Sequence, residues 1–68
     1  MFIIDTKKLK LLLAERGINV GELAQRANLS ADSIYQLMRK DFRRATFKTI
    51  GRIADALAVD CRSFIKEE

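Results

Sequence analysis

The sequence predicts an all-α fold, a compact five-helix bundle, on three observations. Apolar residues recur at i, i+3 and i+4 through most of its 68 residues, there is no Pro and only 3 Gly, and a cap-forming residue stands where each apolar stripe begins. With 49% hydrophobic residues the chain can bury one core, and its length is near the lower limit for a self-sufficient one. Residues 1–68 therefore read as a single domain, with no internal repeat or low-complexity segment.

Each helix has its own start signal. Asp5 caps the first, Ile4 and Leu9 staple across that cap, and Leu9, Leu12 and Leu13 face the core until Gly17 ends the helix. Asn19 caps the second near Val20, with Glu22 as capping-box partner and Ile18 with Leu23 as staple. Asn28 should end it in a left-handed conformation, which Asn tolerates better than other residues with a side chain. Ser30 caps the third, expected over about 31–40, with Leu29 and Ile34 as staple. Thr46 caps the fourth, where Phe47, Ile50, Ile53, Ala54 and Leu57 make a stripe at helical period. Asp60 caps a short last helix, with Val59 and Phe64 as staple and Cys61, a small core residue, and Ile65 on the inner side.

Composition narrows the chemistry. One Cys and no His leave no disulfide, zinc cluster or His-based acid or base, so no catalytic residue, metal ligand or cofactor is expected, and an enzyme is not. No small-molecule substrate is evident either. The opening Met-Phe-Ile-Ile run is too short for a signal peptide or membrane span, which predicts a cytoplasmic protein without a membrane partner.

Residues 19–40 are the most informative segment. Two helices joined by about three residues must cross steeply, and a steep close crossing needs a small residue at the contact, which Ala24 supplies. Leu23, Ala27, Ile34, Leu37 and Met38 form the apolar sides of the pair. Ala24, the turn residue Asn28, and Ile34 with Leu37 stand at the spacings of a helix-turn-helix motif, about residues 20–39, and in this the chain resembles the phage repressor and Cro family, often termed Xre-like. The stretch TFKTIGRIADALAV, residues 46–59, is similar to the helix that follows the reading helix there, and the resemblance spans roughly Leu9 to Phe64. It implies a lambda-repressor-like bundle that binds double-stranded DNA as a transcriptional regulator, such as a repressor, of a phage or mobile element. The chain departs at Val20, where many relatives carry a Gln that touches the DNA backbone, so that contact is not carried over.

At about 100° per residue, burying Ile34, Leu37 and Met38 turns Asp32, Gln36 and Arg39 outward, with Ser33 and Tyr35 flanking. Gln pairs bidentately with adenine, Arg with guanine, and a carboxylate accepts from cytosine. The resemblance implies base contacts at Ala31, Asp32, Ser33 and Gln36, and base or phosphate contact at Arg39; Tyr35 can lie on a sugar or a thymine methyl. Each also has a plainer reading as an outward polar residue of a surface helix. Asp32 in particular gains roughly 0.3–1 kcal/mol from the helix dipole whether or not it meets DNA.

Charge placement adds a second line. Residues 39–52 hold six cationic side chains against Asp41, a net +5 in a chain whose total is +4, so the remainder carries −1. This surplus follows the third helix, where Lys40, Arg43, Arg44 and Lys48, with the Thr46 hydroxyl and the amides opening the fourth helix, can grip phosphates. Lys7, Lys8 and Lys10 read mostly as a solvated face. Gly51 interrupts the fourth helix at about 0.5–1 kcal/mol relative to Ala, which predicts close approach of another helix or of the DNA backbone. Regulators of this type bind as dimers on half-sites one turn apart. A homodimer is expected through Phe2, Ile3 and Ile4 of the N-terminal segment or through Phe64 and Ile65 of the last helix. The alternative function is a protein-interaction module, such as the antitoxin of a toxin-antitoxin pair, which an apolar exposed patch at either terminus would favour.

Overall fold

Asp5, Asn19, Ser30 and Thr46 each start an α-helix in the computed structural model, which describes residues 2–66. Met1, Glu67 and Glu68 lie outside the described residues. The elements are strand β1 (Phe2–Asp5), helices α1 (Thr6–Arg16), α2 (Val20–Ala27) and α3 (Ala31–Leu37), strand β2 (Phe42–Ala45), helix α4 (Phe47–Leu57) and a 3-10 turn at Cys61–Ser63.

The caps act as the side-chain chemistry requires. The Asp5 carboxylate accepts from the amides of Lys7 and Lys8, Asn19 from Glu22 at 2.8 Å, Ser30 from Ser33 at 3.1 Å, and Thr46 from Thr49 at 3.3 Å. Each satisfies amides that the first helical turn leaves without partners. The Glu22 side chain does not complete a capping box; it lies 3.8 Å from Arg26 in an exposed i, i+4 pair. Gly17 and Asn28 close α1 and α2 with left-handed backbones. Ala58 does the same for α4, at φ 55° and ψ 44°, a conformation that costs a residue with a Cβ about 1–2 kcal/mol.

The expected five-helix, all-α bundle is corrected at both ends. Among the described residues there are four α-helices and one two-stranded antiparallel sheet, with Phe2 opposite Ala45 and Asp5 opposite Phe42. The fifth helix is a single 3-10 turn, because the chain must extend straight after it: Phe64 and Ile65 are buried, and Ile65 bridges Ile4 on the far side of β1. β1 thus lies between β2 and the C-terminal segment, with its Ile3 carbonyl taken by the Lys66 amide at 2.7 Å and its Asp5 amide by the Phe64 carbonyl at 2.8 Å. The third helix is also shorter than the expected 31–40. It stops at Leu37 because Lys40 and Asp41 turn their carbonyls to Thr6 as the chain bends into β2, which leaves Arg39 in the turn.

One core joins every element. Ile4, Leu9, Leu13, Leu23, Ile34, Leu37, Ile50, Ile53, Leu57 and Phe64 are buried, and Ala24 is buried where α2 packs against its neighbours α3 and α4. Met38, Leu12 and Cys61 are half-buried against this core. Phe47 departs from the expected inward stripe: it is 66% exposed, and its ring meets the Phe2 ring at 5.3 Å between centroids. No other helix comes close to Gly51, since a Cβ built there would meet nothing within 4 Å, so of the two expected neighbours that one is corrected.

Candidate nucleic-acid interface

The interface begins with the way α3 is held. Ser30 fixes its first turn, and Ile34 and Leu37 bury one side against the core. With that side anchored, the helical period leaves Ala31, Asp32, Ser33, Tyr35 and Gln36 exposed. The turn after the helix leaves Arg39 exposed. The residues expected to read bases therefore share the outer surface of the α3 region, with Arg39 presented by the turn instead of the helix. The Ser33 hydroxyl lies 2.7 Å from that of Ser30, so its outward orientation is tied to the cap.

The turn between α2 and α3 is fixed from three directions. Asn28 adopts the left-handed conformation at φ 57°, the Leu29 amide reaches back to the Ala24 carbonyl at 2.9 Å, and Arg52 of α4 donates to the Asn28 carbonyl at 3.3 Å. In the sequence Arg52 is one more cation of the 39–52 stretch. Its position shows a second use, bracing the turn that sets the angle of α3.

The cationic residues lie beside this surface. A shallow groove of about 260 Å³ is lined together by Ser33 and Gln36 of α3, Arg43 and Arg44 of β2, and Thr46 and Thr49 at the start of α4. A second opening beside it is lined by Lys40, Phe42, Arg43 and Arg44. Lys40, Arg44, Thr46 and Lys48 are exposed and Arg43 is half-buried. Among the described residues none of Arg39, Lys40, Arg43, Arg44 or Lys48 forms an ion pair. A polar helix surface flanked by cations and by the opening amides of α4 suits a polyanion with readable edges.

Two contributors were not visible in the sequence. Thr49 donates its amide to Thr46, accepts from the Thr46 hydroxyl at 3.1 Å, and so orients the hydroxyl that lines the groove; the T-x-x-T spacing is its only local signal. Thr6 is buried 34 residues away from the turn it contacts and has no local signal at all.

Residues 8–62 match the Cro/C1-type HTH DNA-binding domain. The chain belongs to that family. It is a DNA-binding transcriptional regulator, and the α2–turn–α3 unit lies within the matched residues. Among solved structures, the restriction-modification controller protein C.AhdI from Aeromonas hydrophila is similar, with a TM-score of 0.76 and 22% sequence identity over 85% of this chain and 86% of that one. At that identity the likeness speaks to the fold alone. No curated protein matches the chain. No described helix of this Cro/C1-type domain is long and apolar enough to cross a membrane.

Proposed function

We propose that the protein reads double-stranded DNA sequence-specifically by laying α3 in the major groove. Gln36 and Arg39 are its main base contacts, with Ala31, Asp32, Ser33 and Tyr35 around them. Lys40, Arg43, Arg44, Thr46 and Lys48 hold the phosphates on one side. The observation that carries this reading is the shared groove of Gln36, Arg43, Arg44 and Thr46, which sets base-reading chemistry and phosphate-gripping chemistry side by side. The action is one of binding, without catalysis or cofactor, in the cytoplasm, and a phage or mobile-element setting follows from the resemblance alone.

Selection of preferred duplexes from a random pool gives the operator. Gln36→Ala should then cost about 1–3 kcal/mol on that operator and little on random duplex. An equal loss on both removes Gln36 from base reading, and binding that ignores salt removes the whole proposal.

The domain works as a homodimer in this reading, and the surface that supports it is the N-terminal one. Phe2 and Phe47 present adjoining exposed rings beside an apolar groove over Ile50, Gly51 and Ala54. The other candidates are less available: Ile4, Phe64 and Ile65 are all buried in the core. The same patch supports a second reading, in which a protein partner such as a toxin covers it. Sedimentation of the free protein separates the two, since a dimer forms without any other component and a partner-binding module stays monomeric.

A further inference from the structure

Thr6 is 1% exposed, the buried polar side chain among the described residues. Its hydroxyl donates to the Lys40 carbonyl at 2.6 Å and to the Asp41 carbonyl at 2.9 Å, sharing one hydrogen between two acceptors. Its own amide donates to the same Asp41 carbonyl at 2.9 Å. Asp41 thereby has both carbonyl lone pairs occupied by one residue, and the polypeptide between α3 and β2 is held at two successive peptide groups.

We infer that Thr6 is a positioning residue for DNA binding: it clamps the Lys40–Asp41 peptides and so fixes where Arg39, Lys40, Arg43 and Arg44 stand relative to α3. This rests on the proposed role of those cations at phosphates. Without the hydroxyl, the segment from Arg39 to Phe42 keeps its connections at the two ends and the single bond from the Thr6 amide to the Asp41 carbonyl. The Met38 and Arg39 amides bond back into α3, and β2 pairs with β1. Between those ends the Lys40 carbonyl would lose its donor from Thr6 and the Asp41 carbonyl would keep one of its two. Long cationic side chains on a loose tether reach phosphates only after the tether is ordered, and that loss of entropy opposes binding. Thr6 pre-orders it in the free protein. The residue sits at the first position of α1, and Asp5 before it both ends β1 and caps α1, so the clamp is itself anchored in two elements.

The test compares Thr6→Val, Thr6→Ser and the unrelated core change Ile53→Val. Each is measured for melting temperature and for the slope of log affinity against log salt on random duplex. T6V keeps the packing volume and removes the hydroxyl, and its slope should shrink by about 1 to 2 as phosphate contacts lapse. T6S keeps the hydroxyl and should retain the native slope, and I53V should lower the melting temperature with the slope unchanged. A native slope in folded T6V overturns the inference, as does a T6S slope as low as that of T6V. If T6V does not fold, the native protein decides: backbone order parameters for residues 39–44 should match those of α3, near 0.85, and values below about 0.6 overturn the clamp. The double variant Arg43→Ala/Arg44→Ala serves as reference. If it too leaves the slope native, the phosphate-gripping role is what fails; if it lowers the slope while T6V does not, only the Thr6 inference fails.

Discussion

Two surfaces of this domain meet at the start of α4 and are built on opposite terms. On one side of Thr46 lie the outer residues of α3 and the arginines of β2, polar, cationic and free of ion pairs among the described residues. On the other side, beginning with the very next residue, Phe47 and Phe2 expose their rings beside a mostly apolar groove that Asp55 and Asp60 also line. Exposed cations are well hydrated in water, whereas two exposed rings side by side forgo burial that each could gain. The contrast teaches that the start of α4 is a junction between a surface suited to a hydrated, charged ligand and one suited to a dry contact. A dimer formed at the second would bring two copies of the first close together.

The sharpest way to break this division is to remove the charges. Arg43→Ala/Arg44→Ala should weaken binding to any duplex by roughly 1.5–3 kcal/mol for each arginine–phosphate bond removed and reduce the salt slope by about 2. Anisotropy titrations over a range of salt measure both. An unchanged slope would deny the cationic surface its role.

Phe47→Ala addresses the apolar side. Phe47 is 66% exposed, so the stability of the monomer should move by no more than about 0.5 kcal/mol. Association of two copies should weaken by about 2 kcal/mol, as expected for a buried aromatic anchor. Sedimentation equilibrium reads this, and association equal to that of the native protein would assign the dimer contact elsewhere.

Smaller effects test the helix between the two surfaces. Gly51→Ala fills open space and should raise stability by about 0.5–1 kcal/mol in chemical denaturation. If it also weakens self-association, the glycine is there for the partner copy. Ala58→Gly relieves the left-handed strain at the end of α4 and gives back part of it as chain entropy, so a gain of about 0.5 kcal/mol is expected. DNA affinity should stay unchanged, because only the helix end distant from Thr46 is altered.

The parts of this fold that can be read from the sequence are those whose causes are local. Asn19, Asn28, Ser30 and Thr46 act within three or four residues of themselves, and the helix boundaries they predict are the ones observed. β1 and β2 pair residues about 40 apart, and Phe42–Ala45, with two arginines in four residues, has no alternation to betray a strand. The end of α3 at Leu37 has the same origin, since it is set by Thr6, far away in the chain. Phe47 escapes its expected burial because the stripe of α4 is apolar all along one side, and nothing in its period tells where the core stops. The outer residues of α3 follow directly from the burial of Ile34 and Leu37, which is why that surface is legible in the sequence.

The placement of β1 between two partners has a consequence for how the molecule breathes. Its ladder joins the first described residues to the middle of the chain, and beyond the ladder's own bonds the amides of Asp5, Thr6 and Lys66 tie it to the segments on either side. Peeling away that strand exposes all three at once, so they form one unit of local opening. Deuterium should enter them at a common rate, and the same fluctuation that frees the 3-10 turn would momentarily untie the arginines of β2.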